Sequence, residues 1–173
     1  MDDALVETIK EVGLGTEFKL KDAQEEALRN FIGGNDCIGV FPTNYGKSMI
    51  YQLAPIVFKH MKEDEINYSV IVVSPLTALI KDQIVSCTLL NIPATHLTSE
   101  STVDDLKQAR IIYSSPESLL DDSQRQKIIS ISFYILGVVV DEAHLIVKWY
   151  VFYFPSITST HQTSSFRRVT MHR

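Results

Sequence analysis

Four short apolar runs rich in β-branched residues, at 37–41, 70–73, 110–113 and 137–140, recur along the chain with helical patterns between them. Neighbouring antiparallel strands need only a tight turn, whereas parallel ones need a crossover, usually a helix. Runs that are nearly continuous in apolar residues also require cover on both faces. The pattern therefore predicts an α/β fold of three layers, with a mainly parallel sheet between helices. The helix at 23–32 puts Ala23, Ala27, Leu28, Phe31 and Ile32 on one face, with Asp22 as its cap and Gly33-Gly34 at its end. A second helix, at 47–62, carries a wide apolar stripe and is expected to kink at Pro55. Further helices follow over 77–90 and from Ser115-Pro116.

Composition narrows the class. With 173 residues, 45% hydrophobic and 21% charged, the chain can bury a core and is not disordered over most of its length. A net charge of −5 excludes holding nucleic acid by bulk charge, though not by a local basic groove. Cys37 and Cys87 form no CxxC spacing and the five histidines no HExxH, so neither pattern marks a metal site. Both cysteines read as reduced and buried. No apolar run reaches the ~18 residues that span a bilayer. The acidic, amphipathic N-terminus is unlike a secretory signal. An intracellular, soluble protein is expected, nuclear if its source is eukaryotic.

Two segments carry chemistry. Pro42-Thr43-Asn44-Tyr45-Gly46-Lys47-Ser48 joins an apolar run to a helix, the place for a phosphate-binding loop. Backbone N–H groups at a helix N-terminus form an anion pocket. Gly46 lets the backbone approach phosphates, Lys47 can reach the β- and γ-phosphates, and the Ser48 hydroxyl can ligate Mg²⁺. Phe41 stands where the usual GxxxxGK[ST] form has its first glycine. The second segment, Val138-Val139-Val140-Asp141-Glu142-Ala143-His144, delivers two carboxylates at the C-terminal end of a strand, where α/β sheets bind ligands. Asp141 can hold Mg²⁺, directly or through water, and Glu142 can orient and deprotonate the attacking water. His144 is placed to link this site to the rest of the molecule.

In this order the motifs resemble those of the first RecA-like domain of superfamily 2 helicases, and most closely of the RecQ-like DNA helicases. LKDAQEEAL, FPTNYGKSMIYQLAP, VVSPLTALIKDQI and VVVDEAHLIVKW carry the resemblance over residues 18–149, with IIYSSPESLL a looser match. The resemblance implies an ATP-dependent 3′–5′ DNA helicase using ATP and Mg²⁺, with DNA as partner. It places Gln24 against adenine, the loop residues Thr43 to Ser48 on the nucleotide, and Asp141 and Glu142 in hydrolysis. Ser74, Pro75 and Lys81 would face the DNA backbone. Ser115 and Pro116 are similarly placed, although capping of a helix also accounts for that pair. Trp149 would couple DNA contact to hydrolysis.

The chain departs from the family at Asn44, which replaces a glycine but tolerates left-handed backbone, and at Ser118, where many members have arginine. Residues 1–149 read as a partial ATP-binding domain and 150–173 as a non-family tail, either unstructured or a basic arm ending in Arg167, Arg168 and Arg173. The motif III segment and the second RecA-like domain, source of the arginine fingers, are not found. Little activity is therefore expected of this chain alone, and a nucleotide- or nucleic-acid-binding module without turnover is the alternative. A GTPase or small-molecule kinase fits worse with Gln24, the SPLTALIKDQ stretch and DEAH. Without motif III, the strand at 37–41 is expected to lack a neighbour and to be aggregation-prone, unless the tail, through 150–154, supplies one.

Overall fold

A computed structural model describes residues 1–142 and 168–172. The elements run α1 (Asp2–Glu11), α2 (Asp22–Gly33), β1 (Cys37–Val40), α3 (Lys47–Lys62), β2 (Ser69–Val73), α4 (Thr77–Leu89), β3 (Ala94–His96), α5 (Val103–Gln108), β4 (Ile111–Ser114), α6 (Pro116–Leu120), α7 (Asp122–Ser130), β5 (Ile135–Val140) and β6 (Arg168–His172). The six strands form one sheet in the order β1-β6-β5-β2-β4-β3, and every pairing is parallel.

β2 shows why the sheet needs cover on both sides. Its register sets Val70 beside Ile111 on one flank and Gly137 on the other. Successive side chains point to opposite faces. Val70 and Val72 join the core under α1 to α4, with Phe31, Ile50, Leu53 and Ile80. Ile71 and Val73 join a second core with Ile112, Leu106, Ile128 and Ile131. That is the three-layer arrangement expected. Every residue of α3 from Ile50 to Val57 is buried, so this helix is apolar nearly all round. Its assigned span passes through Pro55 without a break.

Local signals explain most element ends. Gly34 closes α2 in the left-handed conformation, φ 90°, which glycine adopts without a Cβ clash. Asp22 is the first helical residue of α2 rather than its cap; the Lys21 backbone N–H instead donates to Gln24 Oε1 at 2.9 Å. Ser115 caps α6 by accepting from the Ser118 N–H at 3.2 Å, with Pro116 at the first helical position.

The sheet departs from expectation at β6. Sequence reading offers only 150–154 as a strand in the tail, yet residues 168–172 insert between β1 and β5. Cys37 pairs with Val169 and Val40 with His172, so β1 has the neighbour it was expected to lack. The aromatic stretch 150–154, His144 and Trp149 lie outside the described residues. No helix among the described residues is long and apolar enough to cross a membrane.

Candidate nucleotide site

The C-terminal ends of β1 and β5 open onto a cavity of about 390 Å³. It is lined by the loop residues Thr43, Asn44, Tyr45, Gly46, Lys47 and Ser48, by Leu79 and Gln83 of α4, and by Asp141 and Glu142. The sheet therefore brings together, from distant parts of the chain, both segments singled out in the sequence.

The loop is shaped by residues the usual glycine-rich form lacks. Asn44 takes φ 60° and Gly46 φ 85°, so Asn44 does adopt the left-handed backbone its type tolerates. A Cβ on Gly46 would lie 2.8 Å from Gln24 Nε2, and the left-handed φ itself favours glycine there. Phe41 is buried and its ring stacks on Tyr45, centroids 5.3 Å apart at 18°. The same ring folds back over Gly39, where a Cβ would clash with it. The bulky residue at the first loop position is thus accommodated by a missing side chain two residues earlier. Lys21 closes the stack, its ammonium 4.1 Å from the Tyr45 ring centroid.

Gln24 is occupied as well as buried. Its Nε2 donates to the carbonyls of Tyr45 and Gly46, both at 3.0 Å, while Oε1 accepts from Lys21. The amide therefore ties the start of α2 to the loop before α3, and both of its polar ends are already engaged.

Across the cavity Lys47 Nζ stands 3.4 Å from Glu142 Oε1, and both side chains are nearly buried. Glu142 has φ 53°, a left-handed value uncommon for glutamate, which marks a constrained position at the strand end. Asp141 accepts from the Glu142 N–H at 3.0 Å. Burial, then the neighbouring Glu142 charge, pushes the Asp141 carboxyl above the usual carboxylate range, with Lys47 working in the opposite direction.

Of the residues expected to face DNA, Ser74-Pro75 and Ser115-Pro116 follow the paired ends of β2 and β4, but they differ in exposure. Ser74 is buried at the end of β2, its N–H donating to the Ser114 carbonyl at 3.0 Å and its hydroxyl without a partner. Pro75 is partly exposed and Lys81 exposed. Ser115 is engaged in its cap and Pro116 is buried. Sequence reading missed Leu79 and Gln83 as cavity residues and Gly39 as the partner of Phe41. The two apolar aromatics flanking the loop were the available signal for the latter.

Residues 21–170 match the family described as DEAD/DEAH box helicase. Among similar proteins is "ATP-dependent helicase wrn-1" of Caenorhabditis elegans, 30% identical over 136 residues, which cover 75% of this chain and 12% of that protein. Another is "ATP-dependent DNA helicase RecQ" of Synechocystis, 31% identical over 135 residues, 73% of this chain and 27% of that one. The chain thus spans about a quarter or less of these relatives. The solved structure of the helicase MrfA bound to DNA superposes with a TM-score of 0.69 at 16% identity, over 95% of this chain and 26% of that one.

Proposed function

The chain belongs to the DEAD/DEAH box helicase family, and on that premise we propose that it forms the nucleotide-gripping part of a RecQ-like, ATP-dependent 3′–5′ DNA helicase. The observation that supports this reading best is the meeting of Lys47 with Asp141 and Glu142 at one cavity, beside the N-terminus of α3. A helix N-terminus and a buried lysine favour an anion there, and the carboxylates favour a cation next to it.

In this reading Lys47 leaves Glu142 for the β- and γ-phosphates, and the loop N–H groups cradle the rest of the chain of phosphates. Freed from Lys47, Glu142 orients the attacking water. Thr43, Asn44, Tyr45 and Gly46 shape the cradle. Gln24 exchanges its loop carbonyls for the adenine edge. Among the described residues no three His, Cys, Asp or Glu groups cluster as a metal site. Mg²⁺ at a nucleotide takes most of its ligands from phosphate and water and needs only one or two carboxylates. The Asp141 carboxyl and the Ser48 hydroxyl, both at the cavity, fit that requirement. When bound, Mg²⁺ neutralises charge on the phosphates. Single-stranded DNA would cross the ends of β2 and β4 near Ser74, Pro75, Lys81, Ser115 and Pro116, with Trp149 completing that contact.

A second reading, nucleotide binding without turnover, is favoured by the Lys47–Glu142 pair, which withholds the expected base from water. Calorimetry on Lys47→Ala tests the common ground. Charge-assisted contacts of about 1.5–3 kcal/mol make a loss of at least about tenfold in ATP affinity the expected result. Unchanged affinity would remove the assignment. Phosphate release that DNA stimulates and Glu142→Gln abolishes would decide for turnover.

A further inference from the structure

Helix α4 contributes two residues to the cavity that neither the loop before α3 nor the two carboxylates account for. Leu79 and Gln83 stand four positions apart on α4, on one face of it, and both line the cavity. Gln83 is half-buried there and is held from α3. Gln52 Nε2 donates to Gln83 Oε1 at 3.2 Å. The same Nε2 lies 3.5 Å from Sγ of Cys87, one turn further along α4. Gln52 is only 1% exposed, and its own Oε1 is buried without a partner.

A buried carboxamide with one end unsatisfied calls for an explanation, because a leucine would fill a similar space without the penalty. Both contacts that Gln52 makes go to α4, and one of them fixes Gln83 by its oxygen. The Gln83 carboxamide then has its Nε2 left, a donor of two hydrogens, with no partner among the described residues. A donor held by its acceptor end at a cavity wall is set to meet an acceptor in the cavity. The spacing along α3 says which part of a nucleotide that is. Ser48 and Gln52 are one turn apart on α3 and share a face, so Gln83 stands on the Ser48 side of the cavity. The inner phosphates have the loop N–H groups and the start of α3, whereas the cation and the outermost phosphate belong beside Ser48.

We propose that Gln83 is a specificity-determining residue for the terminal phosphate of the nucleotide: its Nε2 donates to a γ-phosphate oxygen, and Gln52 is the positioning residue that holds it there. This rests on the reading of the cavity as a nucleotide site. A diphosphate lacks the accepting oxygen, so the contact separates ATP from ADP. It also ties α4, the helix that follows Ser74-Pro75, to the state of the nucleotide.

The test compares ATP and ADP affinities of the 173-residue chain with Mg²⁺ present, each by competition against a fluorescent ADP analogue. In Gln83→Leu, ATP affinity should fall about tenfold, as for loss of a hydrogen bond to a charged group. ADP affinity and the thermal midpoint should stay where they are. Gln52→Leu should weaken ATP binding in the same direction by less, again sparing ADP, and the double variant should lose no more than Gln83→Leu alone. Unchanged ATP affinity in Gln83→Leu would overturn the proposal. So would an equal loss for ADP, the mark of a packing role. A double variant that loses clearly more than Gln83→Leu would remove Gln52 as the positioning residue. If the unsubstituted chain binds neither nucleotide, the nucleotide reading itself falls, and this proposal with it. That failure is visible before any substitution is made.

Discussion

β2 and β1 belong to one sheet but are held in it very differently. β2 lies between β4 and β5, and all five of its residues are buried. β1, which leads into the loop at 42–46, leaves Ile38 and Val40 exposed at 73% and 70%. Among the described residues its only strand partner is β6. The carboxylates therefore ride on the packed centre, through β5, while the loop at 42–46 follows a strand with one partner among the described residues. Ligand-binding loops are commonly drawn from the less stable parts of a fold. Here the edge is compensated locally, by the Phe41–Tyr45–Lys21 stack and by the Gln24 amide on two loop carbonyls.

The sharpest way to break this comparison is to end the chain at residue 167. That removes all four register pairs of β1 while β5 keeps β2. With roughly 1 kcal/mol for each backbone hydrogen bond, several kcal/mol of stability should be lost. Amide exchange at Ile38 to Val40 should become fast while β2 stays protected. Slow exchange at these positions in a monomeric truncated chain would show that β1 needs no β6.

A smaller effect is expected inside the edge itself. Gly39→Val places a side chain against the Phe41 ring and should cost about 1–3 kcal/mol in a denaturant titration, as overpacking does. Most of that should return when Phe41→Leu is added. Equal penalties in both backgrounds would mean that the two positions are not coupled.

The smallest expected change is at the tie to α2. Gln24→Ala loses two hydrogen bonds to the loop and the cap on the Lys21 N–H, about 1 kcal/mol in total stability once water replaces them. Preference for ATP over GTP should fall in a competition measurement. Selectivity that stays intact while loop dynamics change would leave Gln24 as a tie alone.

Where local pattern carried the information, the elements were legible. The span of α3 was readable to the residue because glycine, lysine and a long apolar stripe agree there. β2, β4 and β5 announced themselves by apolar runs rich in β-branched residues, which a two-sided core accommodates. β3 and β6 did not. Ala-Thr-His and Arg-Val-Thr-Met-His have little apolar pattern, and they are strands because β4, or β1 and β5, offer them backbone partners. Gln24 was legible as a site residue but not as a tie, since its partners lie more than twenty positions away.

What the amino-acid sequence determined by itself was the local chemistry: a lysine and a serine at a helix start, two carboxylates at a strand end, and the spacing that makes them a parallel α/β protein. Only the tertiary structure decided that Lys47 and Glu142, 95 positions apart, face each other across one cavity, and that the Gln24 amide ties the start of α2 to the loop at Tyr45 and Gly46. The reason is physical. Helix caps and apolar periods act within a few residues, whereas the meeting of distant side chains depends on strand order and register, which every strand of the sheet sets together.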